Sequence, residues 1–306
     1  MYQAGLVLEG GGMKGVYSSG VLDFFLDKGL EFSSCYGVSA GACSLCSFLS
    51  KQRGRAYHVN VDYLDDKNYC SVYSLLKTGD LFGAEMCYHR IPDELLKTGD
   101  LFGAEMCYHR IPDELNLYDY DTFNRYPGTF YSVVTNIETG LAEYIPIKDM
   151  KKDIEVVRAS ASLPLVANII SWNGRKYLDG GISDAIPIRR SIEDGNQKNV
   201  VILTKEAGYR RKPTKVAGLV KMKYRKYPKL YELMKNRYLT YNATLDYLEE
   251  QEKEGRAFVL RPQLPSGVGR IEKDRGKLQK LYETGYADAE KNYDRLMEYL
   301  KGETKC

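Results

Sequence analysis

A serine framed by glycines can act as a nucleophile. Ser39 stands in Gly37-Val38-Ser39-Ala40-Gly41, a G-x-S-x-G run between an apolar stretch and a run of small residues. Strand, sharp turn and helix in that order lift a hydroxyl above a sheet, and bulk two residues to either side would clash. The N–H of Ala40 then falls at a helix N-terminus beside the reacting carbonyl carbon. The plainer reading is a glycine-rich turn with a helix-capping serine.

Such a nucleophile needs a base. The chain has three histidines, His58, His89 and His109, and none follows the downstream acids. The usual hydrolase order of Ser, then Asp or Glu, then His is therefore hard to assemble. Asp179, in Asp179-Gly180-Gly181, is the best candidate, because two glycines after a strand end allow close backbone approach. A carboxylate with an ordinary pKa of about 3.9 is a poor base for serine, but burial raises it. Asp184 reads as a turn or cap residue.

A third glycine cluster lies upstream. Gly10, Gly12 and Gly15 in "GGGMKG" match G-x-G-x-x-G, which bares backbone N–H groups for an anion beside a helix N-terminus. A dinucleotide turn would need an acid ending the second strand, about 20 residues on. Here that strand ends in the serine turn, and Glu31 precedes it. If Ser39 attacks an ester, the N–H groups of Gly11 and Gly12 suit the oxyanion, at roughly 3–4 kcal/mol per donor.

Other segments must position these residues. "AGLVLEGG" reads as a buried strand, and Val16 to Leu26 recur at helical spacing. "SSCYGVSAG" reads as strand then turn, with a small-residue helix from Ala40 to about Ser50. "TFYSVVTN" and "LAEYIPI" flank a hairpin turn, "KDIEVVRAS" reads as helix, and Asn173-Gly174 turns between two strands. "NVVILTK" and "RAFVLRP" are further strands, and Leu278 to Leu300 follow a helical period. Strands interleaved with helices predict an α/β class with a largely parallel sheet flanked by helices. That domain is expected over 3–205, with a basic, mainly helical region over 206–306.

The 306 residues, 43% of them hydrophobic, can build a full core. The charge is uneven. Lys205 to Arg237 carries 12 Lys or Arg against 2 Asp or Glu, in a chain of net charge +3. Lys and Arg alternate there with Tyr, Leu, Val and Met. One reading is a solvated helix face packed on the domain; another is a surface resting on an anionic membrane. Nucleic acid ranks below both. Cys43 and Cys46 form C-x-x-C, but no second pair or suitably spaced His completes a zinc site, so core thiols are expected. No signal peptide is visible, and "LPLVANII" is too short to span a bilayer. A cytoplasmic protein, free or peripheral on a membrane, is expected, with no metal or cofactor. The 20 residues Leu75–Glu94 recur without change at Leu95–Glu114. A perfect pair reads as a recent duplication rather than an architectural repeat. One copy is expected to be extruded.

"GGGMKG", "GVSAG" and "DGG", in that order, resemble the three signatures of patatin-like phospholipases, and "ASASLP" at Ala159–Pro164 resembles a fourth block. The resemblance covers roughly residues 3–205. It implies a modified α/β-hydrolase-like fold, a Ser–Asp dyad and lipid acyl hydrolysis. By position Ser39 becomes the nucleophile, Asp179 the base and Gly10, Gly11 and Gly12 the oxyanion loop. Lys14, Gly15, Gly37, Ala40, Gly41, Gly180 and Gly181 support the motifs. Glu9 stands where many members have Asp, and Lys14 where many have Arg. The region after 210 resembles the extra C-terminal segment of some bacterial members. A serine acyl hydrolase of lipid esters is the leading reading. An acyltransferase would use the same dyad. A Rossmann-type nucleotide-binding protein and an idle lipid-binding protein stand behind them.

Overall fold

Strand and helix signals alternate along the chain, and they fold into one eight-stranded sheet with helices on both faces. The computed structural model describes residues 1–66, 69 and 103–302. The first repeat copy and His89 lie outside the described residues, and the second copy is described from Gly103.

The first half runs β1 (Tyr2–Leu8), α1 (Val16–Asp27), β2 (Phe32–Val38), α2 (Ala40–Leu49) and α3 (Arg55–Val61). A wide helical turn at Met106–Leu115 and α4 (Tyr120–Asn124) lead to β3 (Thr129–Asn136), β4 (Leu141–Ile147) and α5 (Met150–Ser160). Then come β5 (Ile170–Trp172), β6 (Arg175–Asp179), α6 (Ile188–Glu193) and β7 (Asn199–Ile202). The C-terminal region adds α7 (Ala217–Lys223), α8 (Pro228–Lys253), β8 (Ala257–Leu260), α9 (Arg275–Lys291) and α10 (Tyr293–Lys301).

The sheet order is β5-β6-β3-β2-β1-β7-β8, with β4 also on β3. From β3 to β8 every neighbour is parallel, while β4, β5 and β6 join antiparallel. Strand alternation divides the core. Leu6 and Leu8 of β1 pack with Phe24 and Phe25 of α1 and Leu278 and Leu281 of α9. Val7 points the other way, into a cluster with Leu245 and Leu248 of α8.

The C-terminal region, described over 206–302, is mainly helical, and it is built into the same body. Its β8 pairs parallel with β7. Its α9 lies on α1 so closely that a Cβ on Gly20 would sit 2.0 Å from the Tyr282 carbonyl oxygen. The reciprocal Cβ on Gly285 would sit 2.1 Å from that of Tyr17. The periodic run from Leu278 to Leu300 is two helices rather than one. They meet at Asn292, whose side-chain amide donates to the Asp288 carbonyl at 2.8 Å.

One junction in the sheet governs the site. Strand β4 occupies one edge of β3 from Phe130 to Asn136. The other edge is shared: β2 pairs with Thr129–Val133, and β6 with Val134–Asn136. Val38 lies opposite Val133 and Asp179 opposite Val134, so the two strands meet end to end. Ser39 and Asp179 follow directly from that meeting.

Candidate active site

Ser39 has φ 54° and ψ −124°, left-handed backbone that a residue with a Cβ rarely adopts. Such a conformation costs about 1–3 kcal/mol and persists only where the surroundings fix it. They do. A Cβ on Gly37 would come within 2.5 Å of Ala42 Cα, and one on Gly41 within 2.8 Å of the Leu8 carbonyl oxygen. The Ser39 N–H donates to Ser160 Oγ at 2.9 Å, and Cys43 N–H closes the first turn of α2 onto the Ser39 carbonyl.

Asp179 is buried at the end of β6. Its Oδ1 accepts the Gly181 N–H at 2.8 Å, while Oδ2 is buried without a hydrogen-bond partner among the described residues. Gly180 has no room for a side chain, since its Cβ would stand 2.1 Å from the Val133 carbonyl oxygen. Burial raises the Asp179 pKa above the ordinary carboxylate range; Arg237, the Ser39 hydroxyl and Arg270 each pull it down by less. The Ser39 hydroxyl thus lies near the Asp179 carboxyl.

The block Ala159–Pro164 contacts both Ser39 and Asp179. Ser160 holds the Ser39 backbone, and the Ser162 carbonyl accepts the Asp179 N–H at 2.8 Å. From the sequence this block had only its resemblance to speak for it.

The glycine loop runs alongside. Gly10 lies against Ser39, Gly15 against Ala40 and Gly11 against Thr204 and Lys14. Gly12 has φ 58°, and the next N–H, of Met13, donates to the Arg270 carbonyl at 2.9 Å. Among the described residues the N–H groups of Gly11 and Gly12 donate to no other group. Glu9 is buried beneath the loop: Oε2 accepts the Thr204 N–H at 2.8 Å, and Oε1 the Tyr241 hydroxyl at 2.6 Å.

On one side Ser39 opens to a cavity of about 200 Å³, with Met13, Cys43, Val157, Leu163 and Val166 among its walls. Tyr108 and Pro112 of the second repeat copy line it too. Cys43 and Cys46 also border it, and burial pushes the Cys43 thiol up to about 11.

The remaining candidates sit elsewhere. His58 is exposed and contacts Asp62, and His109 contacts Glu155. Asp184 accepts from the Tyr144 hydroxyl and the Ile186 N–H, a turn role. The basic stretch divides. Lys221, Lys223, Arg225 and Lys226 are exposed. Arg211 and Arg237 turn inward: Arg237 Nε donates to the Gly181 carbonyl, and Arg211 lies 4.3 Å over the Tyr241 ring. Sequence flagged the charge of this stretch and gave no sign of its direction.

A strained serine and a buried aspartate thus stand at the abutting ends of two strands, beside a glycine loop. The model of the family described as patatin-like phospholipase matches residues 6–191, more than half of the chain, and the chain belongs to that family. A second model, a domain of unknown function (DUF6363), matches residues 227–301. The chain is 28% identical over 202 residues to the uncharacterized protein YjjU of Escherichia coli (strain K12). It is 26% identical over 208 residues to the probable lipid hydrolase 463L of Invertebrate iridescent virus 6. Each match takes in 65% of this chain, but 51% of the bacterial relative and 66% of the viral one. The crystal structure of VipD from Legionella pneumophila aligns with TM-score 0.48 and 14% identity, over 99% of this chain and 67% of that one.

Proposed function

We propose that the protein is a serine acyl hydrolase of lipid esters. Ser39 Oγ attacks the acyl carbonyl as its proton passes to Asp179. The oxyanion is held by the Gly11 and Gly12 N–H groups in the loop that begins at Gly10. The C–O bond to the alcohol breaks, and Asp179 returns the proton to the leaving oxygen. Water then attacks the acyl-enzyme and gives a proton to Asp179; the bond from the acyl carbon to Ser39 Oγ breaks, and Asp179 passes that proton to Oγ, regenerating Ser39. The acyl chain occupies the cavity beside Ser39. The observation that carries this reading is the meeting of β2 and β6 on one edge of β3, with the strained Ser39 at the end of one strand and, at the end of the other, a buried carboxyl that has one oxygen unpartnered among the described residues. The viral relative's name, probable lipid hydrolase, supports the same reaction class.

The test is a panel of p-nitrophenyl esters and phospholipids, assayed with wild type and Ser39→Ala. Hydrolysis by wild type and its loss in the variant are expected. Equal turnover by both would overturn the reading. Glycerol as a second acceptor in the same assay separates water from an alcohol as the acyl acceptor, and free fatty acid is the expected product.

Peripheral contact with an anionic membrane belongs to the same proposal, for a protein placed in the cytoplasm. No described helix is long and apolar enough to cross a membrane. The exposed cations of α7 and the turn after it flank Met222, an exposed apolar side chain. Binding to anionic vesicles should exceed binding to neutral ones and weaken with salt. Charge reversal at Lys221, Lys223, Arg225 and Lys226 should abolish that difference.

A further inference from the structure

The cavity beside Ser39 follows one face of α2. Ser39, Cys43 and Ser47 line it at helical spacing, together with Ala40, Ser44 and Cys46. From Ser39 to Cys46 that face rises about 10 Å. The helix end it reaches is polar. The Tyr118 hydroxyl donates to the Cys46 carbonyl at 2.8 Å, and the Arg55 guanidinium carbon lies 5.0 Å from the centre of the Tyr118 ring. Arg55 opens α3, and it lines the cavity together with Tyr118.

This arginine is poorly compensated. One terminal nitrogen donates to the Asn116 carbonyl at 3.0 Å, while Nε is buried and makes no hydrogen bond among the described residues. No Asp or Glu among the described residues lines the cavity. The other arginine on its wall, Arg158, pairs with Glu155 at 3.1 Å. The titratable neighbours that weigh most on Arg55 are Cys46 and three tyrosines, Tyr118, Tyr120 and Tyr63, and none is an acid side chain. Burial pulls the Arg55 pKa down from its ordinary value, yet a guanidinium keeps its proton inside proteins. A half-buried charge met by a carbonyl and a ring face leaves donors over for an anion. A carboxylate suits them, because its two oxygens match the planar fork of N–H groups. It is also little broader than an acyl chain that ends in it.

We propose that Arg55 receives a carboxylate at the far end of the acyl chain, so that esters of dicarboxylic acids are preferred over esters of plain fatty acids. The inference rests on the acyl hydrolase reading and adds to it the nature of the acyl half. An extended chain advances about 1.25 Å per carbon–carbon bond, so about 10 Å of helix face corresponds to about eight to ten carbons. A terminal methyl group in the same place would leave the guanidinium unpaired in a drier site.

The experiment compares the p-nitrophenyl monoesters of nonanedioic and pentanedioic acids with the p-nitrophenyl esters of nonanoic and pentanoic acids, as monomers at neutral pH. In wild type, kcat/KM for the nonanedioic ester should exceed that for the nonanoic ester at least about tenfold. The pentanedioic ester carries the same charge on a chain too short to reach Arg55, and it should show no such advantage over the pentanoic ester. Arg55→Gln should remove the long-chain preference, and Arg55→Lys, which keeps the charge without the fork, should keep part of it. A ratio is read within each variant, so a partly folded protein still reports. Equal use of the nonanedioic and nonanoic esters by wild type would overturn the proposal. So would the same preference at both chain lengths, or a preference unmoved in Arg55→Gln. Calorimetry on Ser39→Ala is a second readout that needs no hydrolysis. Monomethyl nonanedioate should bind at least about tenfold more tightly than its neutral terminal amide, and the difference should vanish when Arg55→Gln is added. If no ester is hydrolysed, the acyl hydrolase reading fails. Tighter binding of the carboxylate then still upholds the site at Arg55, and equal or absent binding overturns it.

Discussion

Two sides of Ser39 are built by different means. Toward β6 everything is fitted backbone: Ser39 in left-handed conformation, Gly180 pressed on the Val133 carbonyl, and Asp179 tied to Gly181 and Ser162. Toward α8 the wall is made of long polar side chains, with Tyr241 on Glu9, Arg211 on Tyr241 and Arg237 on Gly181. The first side tolerates almost no change of shape. The second is held by hydrogen bonds and charge, which tolerate shape but not the loss of a partner.

Gly180→Ala strikes the fitted side hardest. Its new Cβ would meet backbone at 2.1 Å, with no flexible side chain to give way. A loss of about 3 kcal/mol or more is expected in denaturant unfolding, together with the loss of activity. A near-native midpoint would show that the β2–β6 junction is looser than described. Tyr241→Phe probes the charged side. It leaves Glu9 Oε1 buried without its donor. The expected destabilisation is about 1–3 kcal/mol. No change in stability would mean that Glu9 is satisfied in some other way.

Asp179→Asn separates the two sides by sign. Burial raises the Asp179 pKa, so the folded state favours the protonated carboxyl. Its contribution to stability is full below the unfolded pKa and is lost as pH rises through the raised folded value. At pH 7 the neutral isostere should therefore be more stable than wild type, with Tm higher by at least about 2 °C. That advantage should shrink in acid. Wild-type kcat/KM should fall as pH drops through the same raised value, since the base must be ionised. A variant less stable than wild type at neutral pH would contradict this assignment of the charge.

The fitted side could be read from sequence because its demands are specific to residue type. Only glycine serves at Gly37, Gly41 and Gly180, so the steric need leaves a pattern. The strands and their order of appearance followed from apolar runs and turn residues for the same reason. The charged side left no such pattern. Glu9 meets Thr204 across 195 residues and Tyr241 across 232, and no local spacing encodes such pairs. Arg211 and Arg237 are two among 12 cations in their stretch, alike in sequence and opposite in direction. The parallel pairing of β8 with β7 is likewise a long-range event. The break at Asn292 was hidden because apolar spacing continues across it.

The most direct measurement is covalent labelling by a fluorophosphonate, with the modified residue located by mass spectrometry. One adduct is expected, on Ser39 of the wild-type chain, formed at least about 10³-fold more slowly in Asp179→Asn. An adduct on another residue, or labelling of Ser39 at an undiminished rate in Asp179→Asn, would contradict it.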